Sequence, residues 1–283
     1  MHKEKLTFDH KELLYERLKK IDTPVSEYSF ANLYLFRKNH DYEVLFDEEI
    51  FIRGKTYDGS TYIMPTFDIM NKSVAYLKEI LKEADFLFPI PEEWLGTFNG
   101  GEFEYSYSED DTDYLYTIEK MSTFKGNMMH KKKNLLNQFM KLYEHEAYPL
   151  IETRMADAYS ILDQWQEDME VSSEETDYYP CQEALKLYDA LIICGGIYYV
   201  NKEPGGFIIG EEMNEETFAL HFAKGKRKFK GLYQYMYNTF ATILPKKYKW
   251  MNFEQDLGKM ELRIAKASYY PDVLVKKYRV KVK

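Results

Sequence analysis

Short apolar runs dominate residues 42–67, where YEVLF, IFIRG and TYIMPTF are separated by Asp47 to Glu49 and by Asp58-Gly59. Alternation with a tight Asp-Gly turn predicts an antiparallel meander. Ahead of it, Asp9 followed by Leu13, Leu14 and Leu18 predicts an N-capped helix to about Lys20, stopped before Pro24, and SFANLYLFR predicts a second. Beyond the meander, Val74, Leu77, Ile80 and Leu81 recur at helical spacing, and ADFLFPI reads as a buried strand ended by prolines. A short strand is expected over 103–107. After it comes an amphipathic helix over about 127–143, with Met128, Leu135, Leu136 and Phe139 inward.

The second half repeats this grammar. Helices are predicted over 155–169 and 180–190, then strands over 196–200, 206–211 and 217–223. A helix over 232–244, closed by Pro245, leads to the strand YKWMNFE, a helix over 259–267 and one terminal strand, VLVKKYRVKVK. Each half thus carries a meander, a basic loop with Phe-Lys-Gly and an amphipathic helix. The two tripeptides are Phe124-Lys125-Gly126 and Phe229-Lys230-Gly231. That shared context predicts a duplication, with units over 1–148 and 149–283 and a cleft between them.

Composition narrows the class. With 45% apolar and 17% aromatic residues, 283 residues can bury a core and exceed one small domain, which excludes disorder as the main state. The longest apolar stretch, 190–200, is about half of the roughly 20 residues that cross a bilayer. The N-terminus MHKEKLTFDH has no secretory pattern, and Cys181 and Cys194 lack metal-type spacing. A cytoplasmic protein with reduced thiols is expected. Lys plus Arg is 38 against 47 for Asp plus Glu, and the net charge of -9 argues against a dedicated nucleic-acid binder. Two basic runs interrupt that average: KGKRKFK over 224–230 and KGNMMHKKK over 125–133. The bland account of each is a solvated face. Their position between strand and helix favours an anion site.

A glycine-bearing loop there offers backbone N–H groups and the positive end of a helix dipole to a pyrophosphate. Acetyltransferases of the GNAT class use [QR]-x-x-G-x-[GA], and 228–233, KFKGLY, resembles a degenerate form of it. Tyr233 replaces the last small residue, which crowds close approach of coenzyme A. The C-terminal stretch NFEQDLGKMELRIAKASYYPDVLVKKYRV, NEETFALHFAKGKRKFKGLYQYMYNTFA before it and DYLYTIEKMSTFKGNMMHKKKNLLNQF in the first half resemble bacterial proteins related to the C-terminal domain of phosphatidylglycerol lysyltransferase. The resemblance runs from about Tyr28 to Tyr278. It implies a mixed α/β chain of two tandem GNAT-like units, the acyl-CoA N-acyltransferase-like architecture also used by Fem-type peptidyltransferases that take amino acids from aminoacyl-tRNA. The membrane-bound lysyltransferases resemble this chain in Leu262-Arg263-x-x-Lys266-x-x-Tyr269-x-Pro271 and also carry a multi-helix membrane region, which is absent from this sequence.

The expected site follows. If 248–254 continues as a strand, Glu254 and Asp256 project to one side and can hold an amine or move a proton, although Asp256-Leu257-Gly258 also fits a turn with Asp256 as N-cap. Arg263 and Lys266, three apart on a helix, can clamp a phosphate or carboxylate, or else pair with those acids. Lys228, Lys230 and Gly231 are the substrate-binding candidates of the loop, and Lys125, Lys131 and Lys132 those for tRNA phosphates. His130 is assigned a structural role. No Ser-His-Asp or metal-ligand set is visible. The expected activity is acyl or aminoacyl transfer to an amine or hydroxyl acceptor: a small molecule, a peptide or a lipid headgroup. No permanently bound cofactor is required, and the co-substrate is aminoacyl-tRNA or acyl-CoA. Aminoacyl-tRNA ranks first because the coenzyme A loop is degenerate and two basic segments are present. A catalytically silent module that binds a small ligand is the alternative of another class, and the oligomeric state is left open.

Overall fold

A computed structural model describes residues 2–283. The chain forms two compact units: residues up to Asp113 with Gln255–Met260 and Leu274–Lys283, and Tyr114–Glu254 with Glu261–Val273.

The first unit contains β1 (His2–Lys5), α1 (Lys11–Lys19), α2 (Phe30–Phe36), β2 (Glu43–Phe46), β3 (Ile50–Lys55), β4 (Thr61–Pro65), α3 (Val74–Ile80), β5 (Phe86–Ile90) and β6 (Phe103–Tyr107). Asp9 is not the cap of α1. A 3-10 turn over Phe8–His10 leads in, with Thr7 as its N-cap, and α1 starts from His10. Ser29 and Ser73 cap α2 and α3, each side chain accepting from the backbone N–H three residues on. The predicted meander is β2-β3-β4, and Val44, Leu45, Phe51, Ile52 and Ile63, which point to both faces, are fully buried, so both sides of this sheet are covered.

The second unit contains β7 (Asp113–Thr117), α4 (Ile118–Thr123), α5 (His130–Leu142), β8 (His145–Pro149), α6 (Met155–Met169), α7 (Tyr178–Lys186), β9 (Cys194–Val200), β10 (Glu203–Glu212), β11 (Thr217–Gly225), α8 (Leu232–Ile243), β12 (Trp250–Asn252), α9 (Met260–Ala267) and β13 (Val273–Val275). The last strand, β14 (Tyr278–Val282), returns to the first sheet. Pro180 falls in the first turn of α7, where a missing N–H is harmless. The core gathers Tyr116, Met121, Phe139, Tyr235, Phe240 and Met251, with α4 and α5 packed on α8.

The two sheets share one order. The first runs β1-β2-β3-β4-β5-β14-β6, and the second, read from its β8 edge, β8-β9-β10-β11-β12-β7-β13. In each, the fourth and fifth strands are the parallel pair, β4 with β5 and β11 with β12. The sixth strand is supplied by the other half of the sequence. The expected break at residue 148 therefore lies inside β8, while β7, α4 and α5 already belong to the second unit. The expected terminal strand is two strands, β13 and β14, in different sheets. The pairing of the two Phe-Lys-Gly loops also changes, because Phe124-Lys125-Gly126 joins α4 to α5 in the second unit. The first-unit counterpart of the loop after β11 is residues 66–73, TFDIMNKS, which has no basic run.

Candidate functional site

Parallel pairing of β11 with β12 is short: Thr217, Phe218 and Ala219 oppose Trp250, Met251 and Asn252. Past that point β11 stays with β10, while the chain after β12 stays with β7 through Phe253 N to Tyr114 O (2.9 Å) and Tyr114 N to Glu254 O (3.3 Å). The two strands part at their carboxyl ends, the place where open sheets with parallel strands take ligands. Two side chains span the gap. His221 donates from Nδ1 to Glu254 Oε1 (2.8 Å) and from Nε2 to Glu211 Oε1 (2.9 Å).

Local backbone irregularities aim this trio. In the β10–β11 ladder Ile209 opposes Phe222 and Gly210 opposes Leu220, so His221 is the extra residue of a bulge, a device that redirects a side chain. Gly210 permits the approach, since a Cβ there would lie 1.9 Å from Ala219 O. Glu254 has φ 57°, a left-handed conformation that is strained for a non-glycine residue and found at functional positions. Its N–H donates to Asn252 Oδ1 (2.6 Å), and Lys266 Nζ donates to the carbonyls of Phe253 (2.6 Å) and Glu254 (3.1 Å). Burial opposes a charge on His221, but Glu254 and Glu211 outweigh it and raise its pKa to about 10. The side chains of His221, Glu211 and Glu254 are 1%, 4% and 13% exposed, so the chain of charges reaches solvent at its Glu254 end.

The expected carboxylate pair is not formed on a strand. β12 stops at Asn252 and Glu254 is left-handed, so the alternation that would align Glu254 with Asp256 is broken. Asp256 is fully buried and accepts from Gly258 N (2.9 Å), the turn-capping role. Lys266 secures the backbone of residues 253 and 254, and Arg263 sits half-buried on α9.

Two lysines of the basic loop, Lys224 and Lys228, are paired with acids of their own unit. Lys224 is buried, with Nζ 2.5 Å from Asp177 Oδ1 and 3.5 Å from the Trp165 ring centroid. Lys228 pairs with Glu203, Arg227 N donates to Asp168 Oδ2 (3.1 Å), and Lys230 is exposed. Gly231 has φ 89°, and a Cβ on it would meet Leu135 O at 2.6 Å. Its glycine is required by α5 behind it. Lys125 and Lys131 are exposed, whereas Lys132 donates to Ser268 Oγ (2.6 Å) and lies 3.9 Å from the Tyr269 ring centroid. Burial lowers the Lys132 pKa.

A second buried cluster, unforeseen from the sequence, lies in the first unit. Lys277 Nζ meets Glu27 Oε2 and Asp113 Oδ1 (both 2.6 Å), Gln255 Oε1 (2.8 Å) and Ser26 Oγ (3.1 Å). Burial raises Glu27 to about 7, with Lys277 opposing and Asp113 adding to the shift. The signal for the first cluster was a polar residue inside an apolar run, His221 in FALHFA; Lys277, among Lys276, Arg279 and Lys281, carried no such signal. Among the described residues no set of His, Cys, Asp and Glu is arranged to hold a metal ion, and no helix is long and apolar enough to cross a membrane. A depression of about 670 Å³ lined by Thr117, Glu119, Thr242, Lys246 and Trp250 lies at the amino end of β12, away from Glu254.

Such a fold defines a mixed α/β protein of two GNAT-like units with one charged site where a parallel pair opens. Residues 18–281 match the family described as phosphatidylglycerol lysyltransferase, C-terminal, and the chain belongs to that family. An uncharacterized protein of Mycoplasmoides gallisepticum is 28% identical over 180 residues, which are 62% of this chain and 57% of the relative, so the match spans little more than half of that protein. A conserved protein of unknown function from Bacteroides thetaiotaomicron has the same fold, with TM-score 0.85 and 24% identity over 99% of each chain. FemX follows at TM-score 0.64 and 9% identity over 100% of this chain and 98% of its own. L-PGS from Bacillus licheniformis has TM-score 0.57 and 13% identity over 90% and 92%.

Proposed function

We propose that the chain is an aminoacyl transferase, passing an activated amino acid from aminoacyl-tRNA to an amine or hydroxyl acceptor in the cytoplasm. The observation that carries this reading is the Glu254–His221–Glu211 chain at the carboxyl ends of β11 and β12, together with membership of a lysyltransferase-related family. In this reaction the acceptor N or O attacks the ester carbonyl of the donor. The tetrahedral intermediate collapses with loss of the tRNA ribose hydroxyl, which takes a proton as the acceptor gives one up. Such chemistry needs alignment and a group to receive the acceptor's proton, with no enzyme nucleophile. Glu254 is the group proposed for that proton, or for holding the ammonium of the aminoacyl unit.

Acyl-CoA is the second donor considered, and the loop after β11 argues against it. Lys224 and Lys228 are engaged by Asp177 and Glu203, and Gly231 is backed by α5, which leaves little of a pyrophosphate cradle. Arg263, Lys125, Lys131 and Lys230 are the cations proposed to meet donor phosphates. The test is transfer of a radiolabelled amino acid from charged tRNA to a panel of small amines, peptides and lipid headgroups, with coenzyme A titrated in parallel by calorimetry. Transfer that disappears in Glu254→Gln is the expected result. Submicromolar coenzyme A binding with no affinity for charged tRNA would reverse the choice of donor, and ligand binding without turnover would make the chain a silent binding module.

A further inference from the structure

We propose that His221 is the positioning residue of this site: it stands as an imidazolium between two carboxylates, fixes the Glu254 carboxylate at the parted ends of β11 and β12, and never itself takes or gives the reaction's proton. The role rests on the transferase reading above, but its geometry stands apart from it. Backbone pairing between β11 and β12 ends at Ala219 and Asn252, and two residues further along each strand His221 and Glu254 join by side chains instead. The bulge that makes His221 the extra residue of β11 gives the ring this reach.

Glu211 on β10 sets the ring from behind. With Nε2 held by Glu211 Oε1 and Nδ1 by Glu254 Oε1, both ring nitrogens are donors, which requires the protonated imidazole. A histidine that must stay protonated to keep two bonds is a poor proton shuttle. It is a good rigid donor, because releasing its proton would leave two carboxylates without the cation they share. The titratable groups facing it are Glu211 from β10 and Glu254 past β12. On the neighbouring strand β9, the pKa of Cys194, opposite Gly210, is raised by partial burial and by Glu211 and Glu212. The strained Glu254 backbone, tied by Asn252 and Lys266, completes a carboxylate fixed from both its ends.

The test uses the full chain and two readouts. In nitrogen-15 NMR, both His221 ring nitrogens should remain protonated from pH 5.5 to 8.5 with no titration step. In the transfer assay, His221→Gln, which keeps one donor, should lower kcat on the order of tenfold and His221→Ala on the order of a hundredfold, with donor KM little changed. The pH–rate profile of the wild type should lack any limb that His221→Gln removes. Glu211→Gln, a milder change, should restore an ordinary titration of His221 toward the usual value of about 6.5 and lower kcat in parallel. A wild-type His221 that titrates near neutrality, or variants with unchanged kcat and pH profile, would overturn the proposal. If no aminoacyl donor supports turnover, the transferase reading fails while the NMR result still decides the state of His221.

Discussion

Each unit buries one cation between two acids, yet the two clusters differ in what they leave accessible. In the first, Lys277 and Asp113 are fully buried and Glu27 nearly so, and the ammonium also meets Ser26 and Gln255. In the second, the acid at one end reaches solvent, and the residue that carries it is backbone-strained. The parallel pairs differ in the same sense. Where β4 and β5 lie together, Met64, Leu87 and Phe88 are apolar and buried, whereas β11 and β12 open onto His221 and Glu254. A repeated sheet order thus carries the proposed chemistry in one copy and a sealed charge cluster in the other, and the distinction lies in a few side chains rather than in topology.

Breaking the sealed cluster should have the largest effect on stability. Lys277→Met leaves Glu27 and Asp113 buried without their cation, and urea unfolding should show a loss of about 3–5 kcal/mol. In contrast, Glu254→Gln should change stability by no more than about 1 kcal/mol while lowering transfer by roughly 10²–10⁴-fold, measured on the same preparation. A Glu254→Gln protein that unfolds like Lys277→Met would erase the distinction between the clusters. Gly231→Ala comes next. It combines a left-handed backbone with a Cβ placed 2.6 Å from Leu135 O, and should cost about 1–3 kcal/mol by thermal unfolding.

The smallest effect per unit of change is on pH dependence, and both clusters give it the same sign. Glu27 is raised from 4.5 to about 7, so the stability it contributes is complete below pH 4.5 and is lost as pH rises toward 7. His221 is raised from 6.5 to about 10, so its contribution is complete below pH 6.5 and is lost on the way to pH 10. Each group adds a slope of at most about 1.4 kcal/mol per pH unit. Unfolding curves collected every half unit should therefore show stability falling between pH 7 and 10, and His221→Phe should flatten that limb while leaving the limb below pH 7.

Much of this architecture was readable before the fold was known. The meander, the helices α6 and α8 and the strand β5 announce themselves because burial on one face writes a period into the sequence. β1 and β8 do not, since both are exposed edge strands with no apolar face to alternate. Glu254 was singled out from the residues around it, but its partner was not: Glu211 and His221 are ten apart, and only a bulge brings the ring into line with both acids. Asp256 was weighed between cap and catalyst, and its buried bond to Gly258 N is that of a cap.

What the sequence determined by itself was local: period, caps, turns, the absence of a long apolar span and the residue types available for transfer chemistry. Tertiary structure decided which strand completes which sheet. β7 and β14 carry ordinary apolar patterns that suit either sheet, and their placement depends on contacts far along the chain. It likewise decided which charges are paired. The loop over 224–230 reads as a free basic cluster, but acids at 168, 177 and 203, distant in sequence, engage two of its lysines and one backbone N–H, and the buried Lys224 ammonium is stable only beside such a partner.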